Sequence, residues 1–124
     1  MDDEARPTGP AAPAIWTFIE SIKPDVILDL HEGYGFRAAG SKSVGTSIIT
    51  HREVDDPGQQ LMLRAANQGI EDPQRRFVEL DGMVAGSLAR AAAVALGTEA
   101  HILETTWKDN KSPGDLTNSE NTFP

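Results

Sequence analysis

The chain has 124 residues, no cysteine and a net charge of -8, from 19 acidic and 11 basic residues. That length holds one ordinary domain rather than two, and the lack of thiols excludes disulfides and thiolate-bound metals. The acidic balance argues against nucleic-acid partners, which need a basic footprint, and no apolar run approaches the roughly 18 residues of a membrane span, so a cytoplasmic location is expected.

Residues 1 to 12 are polar and rich in Pro and Gly, and read as a flexible arm. From Pro13 the pattern becomes helical: Ile15, Phe18, Ile19 and Ile22 recur at helix spacing, and Lys23-Pro24 closes the segment. Residues 25 to 31 (DVILDLH) follow. Val26, Ile27, Leu28 and Leu30 form a near-continuous apolar run, the pattern of a strand buried on both faces. A glycine-containing loop runs from Glu32 to about Val44, long enough to suggest a functional role. Thr46 to Thr50 is β-branched and reads as a short strand.

Asp55 or Asp56 is placed to cap a helix with Pro57 in its first turn. Leu61, Met62, Ala65 and Ala66 would form its apolar face, and Gly69 its end. Arg76 to Leu80 reads as a short strand or an extended segment. Gly82 to Leu96 is alanine-rich, with Val84, Leu88, Ala91 and Ala95 on one side, and predicts a helix packed closely on a sheet and stopped at Gly97. Ala100 to Thr105 is a further strand, and residues 108 to 124 form a polar tail. The order predicts an α/β fold over 13 to 107, a three-layer arrangement whose mainly parallel or mixed sheet is flanked by helices.

The stretch DLHEGYGFR carries the first candidate site. In an extended strand Asp29 and His31 project to one face, at the carboxyl end where open α/β sheets collect ligands. His31 is a candidate metal ligand, and Asp29 a candidate acceptor holding its ring. Spacing alone leaves open a histidine that merely ends a strand beside an acid. Glu104, near the end of AHILETTW, is a candidate general base for activating water, or a strand-end glutamate turned to solvent.

Arg37 is a candidate for clamping a substrate carboxylate, or a solvated loop arginine. Glu32 and Tyr34 flank His31 and are candidates for hydrogen bonding to substrate. His101 and Glu104 have H-x-x-E spacing, but in a strand positions three apart face opposite ways, so His101 reads as a packing or surface residue. His51 reads as a turn histidine.

The pair DLHEGYGF and HILETTW, in this order, resembles the M14-type zinc carboxypeptidases and the related succinylglutamate desuccinylase and aspartoacylase group. The resemblance spans roughly residues 13 to 107. It implies a partial zinc-carboxypeptidase-like domain, with His31 as a zinc ligand and Glu104 as the base for hydrolysis of an amide or peptide bond. The substrate would be a small acylated molecule or a peptide. The family's H-x-x-E zinc ligands lie upstream of the D-L-H histidine, and the 30 residues before His31 contain no histidine. The resemblance therefore implies the C-terminal part of a catalytic domain, completed by another chain or by self-association. The alternative is a non-catalytic α/β remnant that works through association.

Overall fold

The computed structural model describes residues 11–51 and 57–106. Three helices, α1 (Ala12–Ile22), α2 (Pro57–Ala66) and α3 (Leu88–Leu96), accompany four strands, β1 (Val26–Gly33), β2 (Ser47–Thr50), β3 (Val78–Asp81) and β4 (Glu99–Thr106). The strands form one sheet in the order β1-β4-β2-β3. β1 runs parallel to β4 and β2 parallel to β3, while β2 and β4 are antiparallel. The sheet is thus mixed: two parallel pairs run in opposite directions. Residues 1–10 of the predicted arm, the cap at Asp55 or Asp56 and the polar tail lie outside the described residues, while Ala12, at the end of that arm, already belongs to α1. Among the described residues no helix is long and apolar enough to cross a membrane.

The ladder register sorts side chains onto two faces. Ile27, Asp29 and His31 share a face with Ala100, Ile102, Glu104, Ser47 and Ile49. Against it, α3 sets Ala89 and Ala92, both fully buried. Such small side chains let a helix approach a sheet closely. α3 and α1 meet where Trp16 packs on Ala91 and Ala92, and Ile27 of β1 touches that cluster too. α1 ends where Lys23 enters the left-handed region (φ 47°) and its N–H donates to the Ile19 carbonyl at 2.9 Å. α2 covers the opposite face, over β2 and β3. Its buried Gln59 donates to the Ile48 carbonyl at 2.8 Å and the Leu80 carbonyl at 3.1 Å.

Several boundaries and faces differ from expectation. α3 starts at Leu88 rather than Gly82, because Ser87 takes an extended conformation and its hydroxyl accepts from the Arg90 N–H at 3.2 Å, a side-chain cap. Val84 and Ala95 are exposed. The buried positions of α3 are Ala89, Ala91 and Ala92. On α2, Leu61 and Ala65 are exposed and Gln59 is buried. On α1, Trp16 and Ile19 turn inward while Ile15, Phe18 and Ile22 face outward.

The largest correction concerns β1. Among the described residues it is an edge strand with only one face covered. Val26, Leu28 and Leu30 are 54%, 48% and 68% exposed, because α2 sits over β2 and β3 and nothing among the described residues covers this end of the sheet. An apolar run reads alike whether a strand is central or marginal; neighbour order decides which.

Candidate functional site

The parallel pairing of β1 with β4 sets His31 level with Glu104. The antiparallel pairing of β4 with β2 sets Ser47 on Glu104's other side. Aligned partners point to the same face, so His31, Glu104 and Ser47 form a row across the sheet. Asp29, two residues before His31, joins them. The row lies at the carboxyl ends of β1 and β4, where α3 and α1 no longer cover the sheet fully: the His31 side chain is 43% exposed and that of Glu104 10%.

His31 lies between two carboxylates. Its Nε2 is 3.2 Å from Asp29 Oδ1 and its Nδ1 3.4 Å from Glu104 Oε1. A neutral imidazole has one donor and one acceptor nitrogen, while an ionised carboxylate only accepts. Both contacts are satisfied when the ring is an imidazolium, or when one carboxyl carries a proton and donates to the ring nitrogen it faces while the other ring N–H donates to the other carboxylate. Burial pushes the Glu104 carboxyl above its ordinary value of 4.5; the charge and hydrogen bond of His31 pull it down, and the Asp29 charge adds to the rise. The Thr105 hydroxyl donates to the His31 carbonyl at 3.1 Å and ties the end of β1 to β4.

The loop after β1 doubles back beside this row. A Cβ on Gly33 would sit 2.8 Å from the Gly45 nitrogen, so the two stems touch backbone to backbone, an approach only glycine permits. The Arg37 N–H donates to the Gly45 carbonyl at 3.0 Å. Its guanidinium donates to the carbonyls of Ser41 at 3.1 Å and of Lys42 and Ser43 at 3.5 Å. Arg37 thus holds the loop's own backbone. The Tyr34 backbone is held by Ser41 and Ser43. Glu32 is exposed, and strand alternation turns it to the face opposite His31. Of the candidates, the structure brings together Asp29, His31 and Glu104, and leaves Arg37 and Glu32 engaged or directed elsewhere.

His101 is buried on the α2 face, with Nε2 2.8 Å from Glu99 Oε1. It lies on the side opposite Glu104, as the strand reading required. Ser47 and Thr105 escaped the sequence reading. Ser47 becomes part of the row only through a ladder partner far away in sequence, and Thr105 differs from other strand threonines only in its neighbour. A shallow, mainly apolar cleft lined by Leu61, Leu63, Arg64, Asn67 and Arg76 includes none of the row; the strand-end cluster, with a carboxylate on each nitrogen of one imidazole, is the stronger chemical candidate.

Zinc is not accommodated by this set alone. Asp29 and Glu104 approach opposite ring nitrogens, so the carboxylates converge on the imidazole and not on a common point. Among the described residues no group of three or more His, Cys, Asp or Glu is placed to hold a metal ion, whereas catalytic zinc takes three protein ligands. Comparison of the chain with protein-family models, with curated proteins and with solved structures finds no match.

Proposed function

We propose that the chain supplies the acid–base half of a hydrolytic site for an amide or peptide bond. The observation that carries this reading is the level pairing of His31 with Glu104 at the open end of two parallel strands, with Asp29 on the other ring nitrogen. Glu104 takes the proton of an attacking water and returns it to the leaving amine. The raised affinity of its carboxyl for a proton suits that exchange. His31 orients Glu104 and stabilises its ionised form, and Asp29 holds the ring. A zinc-dependent version requires further ligands from outside the described residues.

The test is a zinc titration by calorimetry together with hydrolysis of N-acyl amino acids and short peptides, for the parent, His31→Ala and Glu104→Gln. The reading expects turnover to fall at least about a hundredfold in Glu104→Gln, the size of a general-base contribution. Turnover that survives this substitution overturns it, as does a parent that stays inactive with zinc even when mixed with a segment carrying the H-x-x-E ligands. A second reading, association without catalysis, is favoured by the bare face and free edge of β1.

A further inference from the structure

We infer that β1 is the interface with a second copy of this chain, paired antiparallel about Leu28. Four observations on β1 point there. Among the described residues its outer edge has no neighbouring strand. The Asp25 carbonyl accepts from the Glu99 N–H, and the His31 carbonyl faces Thr105, so odd-numbered residues turn their backbone groups to β4. By the alternation of a strand, the N–H and C=O groups of Val26, Leu28, Leu30 and Glu32 point to the free edge. Three of those residues also carry the exposed apolar side chains. Neither proline nor lysine, two usual guards of an edge, interrupts the strand.

The register follows from complementarity. With Leu28 opposite Leu28 of the second copy, Val26 lies opposite Leu30 and Leu30 opposite Val26. All are hydrogen-bonded pairs, and six apolar side chains close one face. The same register sets His31 opposite Asp25 of the second copy and Ile27 opposite Asp29, at the closer, non-hydrogen-bonded positions. Centring the pairing on Asp29 puts two aspartates face to face, and centring it on Leu30 puts Leu28 against Glu32. A two-fold axis through Leu28 avoids both.

The interface brings a third carboxylate, Asp25 of the second copy, to His31. That part of the inference rests on the hydrolytic reading; the pairing itself does not. Because each chain carries a net charge of -8, association strengthens with salt, whose screening length is about 10 Å at 0.1 M.

Sedimentation velocity across protein and salt concentration tests the pairing, with Leu28→Lys as the comparison. Leu28 is half exposed, so the variant keeps its fold, checked by circular dichroism, and sets two lysines face to face at the axis. The expected result is a dimer for the parent, tighter at high salt, and at least tenfold weaker association for Leu28→Lys. A parent that stays monomeric, or a variant that dimerises equally well, overturns the pairing. Zinc ion titrated into both proteins tests the shared site. Uptake by the dimer, lost in Leu28→Lys and in Asp25→Asn, supports it; equal uptake by the monomeric variant overturns it. A dimer that takes up no zinc overturns the shared site and leaves the pairing standing.

Discussion

Two neighbouring strands each carry an acid followed two residues later by a histidine: Asp29 and His31 on β1, Glu99 and His101 on β4. The local geometry is similar, with ring nitrogen to carboxylate distances of 3.2 Å and 2.8 Å. Their surroundings differ. His101 sits mid-sheet under a covered face, 1% exposed, and its Nδ1 has no hydrogen-bond partner among the described residues. His31 sits at a strand end, open to solvent, with a second carboxylate on its other nitrogen. An i, i+2 acid–histidine pair in a strand therefore specifies contact. Position along the strand specifies whether the ring is enclosed, as at His101, or open to solvent, as at His31.

The largest expected effect breaks the pair apart by stability. His101→Ala should destabilise the fold by about 2–4 kcal/mol, the range for emptying a buried site, whereas His31→Ala should cost less than about 1 kcal/mol, as for an exposed ion pair. Urea denaturation of both variants measures this, and equal losses would erase the distinction. His101→Leu should recover most of the loss, since it refills the volume and removes the buried unpaired nitrogen.

The next effect is in pH dependence. The folded-state affinity of Glu104 for its proton is raised, so the folded chain holds more protons than the unfolded one above the ordinary value of 4.5. Stability attributable to this group is therefore present at low pH and lost as pH rises through the raised value. Glu104→Gln should lack that slope. Relative to the parent it should gain stability with rising pH, read from unfolding midpoints between about pH 4 and 8, a window set by the linkage. A constant gap would mean that Glu104 is no more proton-holding when folded than when unfolded.

The smallest effect separates the two acids. Glu99→Gln keeps a hydrogen-bonding side chain beside the buried ring and should shift stability by about 0.5–1.5 kcal/mol, the net value of one such contact. Asp29→Asn should change stability less than that. Its larger consequence should be on the placement of the His31 ring, seen as displaced ring proton resonances by nuclear magnetic resonance at a fixed pH. Unchanged ring resonances would show that Asp29 does not hold the ring.

Much of the site could be read from local pattern. Period-two alternation put Asp29 and His31 on one face, and strand geometry separated His101 from Glu104 despite their H-x-x-E spacing. Helix ends at Lys23 and Gly97 followed from the proline and glycine that punctuate the chain, both caps being left-handed. The loop arginine was harder. Arg37 faces the carbonyls of its own loop because Gly33 and Gly45 let the stems close, and nothing in the order of residues reveals that closure.

The amino-acid sequence by itself determined the α/β alternation, the helical and extended segments and the choice of chemistry-bearing residues, because these depend on contacts within a few residues. Tertiary structure decided that β1 lies at an edge, that Glu104 and Ser47 share a row with His31, and that Val26, Leu28 and Leu30 face outward. Those outcomes depend on which strand pairs with which. Residues 31 and 104 meet through a ladder between distant segments, and a hydrophobic strand becomes core or interface only once its neighbours are known.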